Sequence, residues 1–181
     1  MKTGIAALFA VSLLAGCAAN PLPRNFDQST LPPSVQVPPG HRPALLLVGT
    51  GDAIYECRPT GQATGQYAWN FVRPEARLLD GSGKQVGRYF GPPATWDHWA
   101  GSRVTGKSLA TAPAGAGNLP LQLVQAEPAT GNHDVLRGTT YIQRVNIQGG
   151  DAPAKECGAM NMREAFPVKY QADYIFYRAA S

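Results

Sequence analysis

Apolar and polar positions alternate along much of this chain. In residues 168–177 (VKYQADYIFY), Tyr170, Tyr174 and Phe176 fall on one face and Asp173, Ile175 and Tyr177 on the other, which is the two-residue period of a β-strand. The same alternation marks residues 53–57, residues 66–72 with Tyr67, Trp69 and Phe71, the series Leu119, Leu121 and Leu123, and residues 139–147. Residues 44–48 (ALLLV) form an unbroken apolar run of the length of a buried strand. Residues 76–79 and 85–90 flank Asp80-Gly81-Ser82-Gly83, where glycine suits the backbone of a tight hairpin turn. No stretch carries a 3.6-residue apolar stripe longer than two turns. The pattern predicts a single all-β domain, an antiparallel barrel or sandwich, with a turn at Gly49-Thr50-Gly51-Asp52 and irregular loops at 110–118 and 149–161.

The N-terminal part departs from this pattern. Lys2 precedes an apolar run from Ile5 to Leu14 of roughly ten residues, short of the about 20 that a membrane-spanning helix needs. The run ends in Leu14-Ala15-Gly16-Cys17, which looks like a lipobox. Residues 1–16 therefore read as a lipoprotein signal peptide and Cys17 as the lipidation site; the alternative is an ordinary signal peptide beside an incidental cysteine. Acyl chains there would anchor the protein to a membrane, and Ala18 resembles residues that permit sorting to the outer membrane, facing the periplasm. Seven prolines lie between residues 18 and 43, so 17–43 reads as a tether spanning up to about 80 Å at roughly 3.1 Å per residue. The alternative for part of it is that Val35 and Val37 pack along the domain as an edge strand. The domain then occupies residues 44–181.

Charge narrows the function classes. The chain carries 16 basic and 12 acidic residues, and without Lys2 the balance is 15 against 12. The basic residues are scattered rather than grouped to track phosphates, so no nucleic-acid partner is expected. Two cysteines remain beyond Cys17, and in an exported protein Cys57 and Cys157 are most simply a disulfide; free buried thiols are the alternative, and neither has the C-x-x-C neighbour of a metal site. The bridge would close a loop of about 100 residues, for which chain entropy gives at most about 4.7 kcal/mol.

Several segments carry a family resemblance. Gly49-Thr50-Gly51 with Tyr55 and Cys57, Gly91-Pro92, Trp96, Gly101-Ser102, residues 141–145 (YIQRV) with Gly149-Gly150 and Pro153, Cys157, and residues 170–174 (YQADY) with Phe176 together resemble the DUF3455 family over residues 44–178. These are secreted proteins of unassigned function, so the resemblance implies no reaction, cofactor or ligand. The chain departs from the usual family pattern at Gly91-Pro92-Pro93-Ala94-Thr95-Trp96 and at Trp99-Ala100-Gly101-Ser102, where an aspartate commonly precedes Gly-Ser.

The search for chemistry by residue type yields few candidates. Gly49-Thr50-Gly51 lacks the third glycine and the following helix of a dinucleotide site. No G-x-S-x-G elbow surrounds Ser102 or Ser82, which disfavours a serine hydrolase. Trp96, His98, Trp99 and His133 are candidate ligand-binding residues: tryptophans in loops can stack on a ligand, and the two imidazoles with Asp97 and Asp134 could form a metal or acid–base site if the fold gathers them. Gln143-Arg144 sits within a strand, so one of the pair must share a face with apolar neighbours. An arginine there calls for a carboxylate, and Asp173 is the expected partner in a structural network. The expectation is an exported binding or envelope-structural module, with no cofactor, whose partners are the membrane and an unknown ligand or envelope protein; a small envelope enzyme using His98 and His133 is the alternative.

Overall fold

The computed structural model describes residues 26–61 and 65–180. Residues 1–16, read above as a signal peptide, and Cys17 lie outside the described residues. Nine strands, β1 (His41–Pro59), β2 (Tyr67–Leu79), β3 (Gln85–Phe90), β4 (Ala94–His98), β5 (Ser102–Ala112), β6 (Leu121–Ala126), β7 (Thr130–Gly131), β8 (Thr139–Gly149) and β9 (Ala165–Ala179), form one antiparallel sheet. Its order is β4-β3-β2-β1-β9-β8-β6-β5-β7, and pairing of β4 with β5 closes it into a ring from which the two-residue β7 projects. The all-β expectation therefore holds in its barrel form.

Closure depends on β1. The turn expected at residues 49–52 is absent: β1 runs unbroken through both glycines, paired throughout with β2 and β9. These glycines are demanded by close approach rather than by a turn. A Cβ on Gly49 would strike the Tyr174 ring, and one on Gly51 would strike the β2 backbone at Glu75 and Ala76. The two segments expected at 66–72 and 76–79 are likewise one strand, with Pro74 inside it, and β5 extends to Ala112 through the first residues of the expected 110–118 loop.

Side chains facing into the ring form the main core. Trp96 and Tyr89 stack with centroids 4.6 Å apart, Tyr174 leans on Tyr89 at 5.0 Å, and Phe176 meets the edge of Trp96 at 6.2 Å. Ring pairs at such spacings add roughly 0.5–1.5 kcal/mol each beyond area burial. A barrel of this strand number is narrow enough for side chains to fill, or to leave room for one small ligand. One end is closed: Leu136 is fully buried, its N–H donates to Ser102 Oγ at 3.0 Å, and Arg178 Nη2 donates to the carbonyls of Asp134 and Val135 in the same loop.

A second apolar cluster covers part of the outside. Val35 and Val37 are buried against Leu46, Ala112, Leu123, Val145, Ile175 and Tyr177, with Phe26 and Leu31 packed at its margin. Residues 26–40 are thus a strap on the barrel rather than a free tether, and they use 3-10 turns at Gln28–Thr30 and Pro33–Val35 rather than an edge strand. Gln28 clamps the strap by accepting the Val37 N–H at 2.8 Å and donating to the Val37 carbonyl at 3.1 Å.

The disulfide forms as expected between Cys57 and Cys157, with Cα atoms 5.6 Å apart. It ties the β8–β9 loop to the far end of β1, and Trp69 Nε1 donates to the Lys155 carbonyl at 2.7 Å to hold the same loop to β2. The bond identifies a chain that matures in an oxidising compartment, that is, an exported protein. Among the described residues no helix is long and apolar enough to cross a membrane.

Candidate functional site at the open mouth of the barrel

The expected histidine and tryptophan cluster does not assemble as a unit. Trp96 is 0% exposed in the barrel core, whereas Trp99 is 62% exposed in the β4–β5 turn at the closed end. The alternation of β4 sends Trp96 inward and Asp97 outward. Asp97 there accepts from Arg88 Nε and Arg103 Nε, both at 3.1 Å. Asp134 pairs with Arg137 at 3.0 Å. Both carboxylates are thus engaged by arginines. His98 senses His133 through charge alone: burial lowers the His98 pKa, His133 lowers it further, and Asp80 and Asp97 push it back up. His98 Nδ1 accepts the Ala100 N–H at 3.1 Å. Among the described residues, no three His, Cys, Asp or Glu side chains stand together as a metal site.

The opposite end of the barrel is open. Tyr55, Phe71, Val72 and Pro74 on β1 and β2, Tyr89, Gly91, Pro92 and Ala94 around the β3–β4 turn, and Leu119, Pro120, Gln122 and Arg144 across from them enclose a cavity of about 360 Å³. That volume falls within the range of about 300–1,000 Å³ typical of small-molecule sites, and barrel mouths are a preferred place for them. A larger depression of about 930 Å³ lies over β1, β2, β3 and β9, lined by exposed polar and charged residues such as Glu75, Arg77, Arg88 and Gln171. There Asp52 is already paired with Lys169 at 2.9 Å and the lining is mostly exposed and polar, so the smaller, more apolar cavity is the better candidate.

Arg144 distinguishes the mouth. β8 register sets it opposite Tyr174 on β9 and Gln122 on β6, inside the ring, at 6% exposure. Its Nε and Nη2 donate to the Pro120 carbonyl at 3.1 and 2.9 Å. The expected ion pair with Asp173 does not form: Asp173 stands opposite Val145, on the outer face, and accepts from Asn146 Nδ2 at 3.2 Å. Both members of Gln143-Arg144 are buried, because the strap covers the outer face at Gln143. Gln143 Nε2 donates to the Val35 carbonyl at 2.7 Å and its Oε1 accepts from Tyr177 at 3.0 Å.

Phenols surround the guanidinium. Tyr170 and Tyr174 share a hydrogen bond at 3.1 Å, and Tyr55 donates to the Gly150 carbonyl at 2.8 Å. Burial pushes the Tyr174, Tyr89 and Tyr170 hydroxyls far above the usual phenol range and raises Tyr55, although Arg144 pulls each of them down. All four are therefore neutral at physiological pH. The sequence singled out Arg144 but not the cavity, whose walls come from seven strands and two loops; Gly91-Pro92 and Tyr55, quoted for the family resemblance, and Phe71 and Leu119, read as alternating strand positions, were legible one by one but not as a set.

Fold and site together define a small closed antiparallel barrel with an apolar mouth over a buried arginine. The chain belongs to the family described as protein of unknown function DUF3455, whose model matches residues 38–178. No curated protein and no solved structure matches it.

Proposed function

We propose that this chain is a non-enzymatic binding module, which holds a small ligand in the mouth of its barrel and is displayed from the outer membrane, facing the periplasm, by acyl chains on Cys17. The cavity carries the reading: it is walled by Phe71, Val72, Pro74, Pro92, Ala94 and Leu119, with few polar groups to fix orientation, the arrangement of a binding site. The lipobox-like Leu14-Ala15-Gly16-Cys17 supports the anchor, and the disulfide supports export. Mass spectrometry of protein purified gently from its native membranes tests both parts. The expected species begins at Cys17, bears acyl chains and retains a small molecule; an unmodified N-terminus refutes the anchor, and a consistently empty barrel refutes the binding role.

A second reading, a small metal-dependent envelope enzyme, draws on the electrostatic coupling of His98 to His133. Stoichiometric metal in the purified protein, lost on replacing either histidine, is its expected mark.

A further inference from the structure

Resting on the reading of the mouth as a ligand cavity, we infer that its occupant is a small amphipathic anion, with an apolar body against Phe71, Pro92 and Leu119 and a carboxylate or similar oxyanion on Arg144. A guanidinium stays charged in a protein and offers five N–H donors. Here it is removed from water at 6% exposure, and the partners it has are the Pro120 carbonyl, which takes Nε and Nη2, and the neutral Tyr174 phenol. Among the described residues no carboxylate forms an ion pair with it. Asp151 and Asp52 act on the phenols of Tyr55 and Tyr170, and Asp173 points out of the barrel. A buried cation without a counter-charge is costly, and the deficit is met when an anion arrives in bidentate geometry.

The apolar walls sharpen this requirement. A wholly apolar ligand would displace water from the mouth and leave the charge facing hydrocarbon, whereas a strongly hydrated polyanion would forfeit its solvation against Pro74, Pro92 and Leu119. An ion with one charged end and one apolar end satisfies both surfaces. Thr111, which also lines the cavity, offers a hydroxyl to an oxyanion, and Gln122, whose Nε2 already donates to Ser108 Oγ at 2.9 Å, keeps a second N–H for it.

Calorimetric titration of the purified full chain with octanoate, octanesulfonate and 1-octanol at pH 7 tests the inference, with NMR shifts of the Leu119 and Val72 methyls reporting location. Both anions are expected to bind about tenfold or more tightly than the alcohol, and Arg144→Met is expected to abolish that preference while the alcohol still binds. Equal or tighter binding of 1-octanol by the unaltered protein overturns the anion assignment and leaves the cavity reading standing. No binding of any probe overturns both. Should Arg144→Met fail to fold, the comparison of probes on the unaltered protein still decides.

Discussion

At the scale of single residues, His98 shows how neighbours set a proton's affinity. Burial and His133 both hold its pKa below the ordinary 6.5, against the pull of Asp80 and Asp97. The unfolded chain therefore takes up this proton at a higher pH than the native one. The stability that results is complete above the unfolded value near 6.5 and is lost as the pH falls from there through the lower native value. In an NMR titration the His98 midpoint is expected below 6.5, higher in His133→Gln and lower still in Asp80→Asn. A midpoint that ignores His133→Gln would separate the two rings and remove the basis for a shared metal. Arg144 teaches a different lesson. Its peculiarity was legible in the sequence, since a charged residue interrupts an apolar strand face; its environment was not. Alternation shows that Tyr174 and Asp173 lie on opposite faces of β9, yet only the register, Arg144 against Tyr174, says which of those faces the arginine shares.

At the scale of elements, strands with strong alternation were readable and the joins between them were not. β9 and the β2–β3 hairpin stand where the pattern predicts, with Tyr170, Tyr174 and Phe176 inward. β4 escaped notice because its five residues carry too few apolar positions to show a period. At Gly49 and Gly51 the glycines read locally as a turn, whereas contacts with Tyr174 and β2 require them within a strand. The strap was legible only in part: Val35 and Val37 read as an alternative that packs along the domain, but its apolar residues are spaced by prolines, and their partners lie at Leu46, Leu123, Val145 and Ile175, remote in sequence. Removing two buried carbon groups with Val35→Ala is expected to cost roughly 2 kcal/mol in urea unfolding. Gln143→Leu, which leaves the Val35 carbonyl and Tyr177 hydroxyl without their partner, is expected to cost about 1–3 kcal/mol. Wild-type stability in both variants would mean that the strap is not docked in solution.

At the scale of the whole molecule, two devices hold the ring and its open end. Hydrogen bonding between β4 and β5 removes the free edges along which sheets aggregate. The Cys57–Cys157 bond fastens the loop beside the mouth, where Tyr55 also reaches the Gly150 carbonyl. Cys57→Ala combined with Cys157→Ala is expected to lower stability by about 2–5 kcal/mol. Because the closed end has its own lock at Leu136 and Ser102, hydrogen exchange should quicken first in residues 150–164 and remain slow in 135–139. Uniform exchange across the two ends would refute this division of labour.

The docked strap also alters how such a body would ride on a lipid surface. If Cys17 carries the proposed fatty acids, only eight residues separate it from Phe26, where the strap meets the barrel, so the reach of the body from the lipid is at most about 30 Å rather than the 80 Å suggested by composition. A globule held within that distance would skim the leaflet instead of sweeping the space beyond it. Its cargo would then be met at the lipid surface, among molecules that already carry one oily end and one charged end.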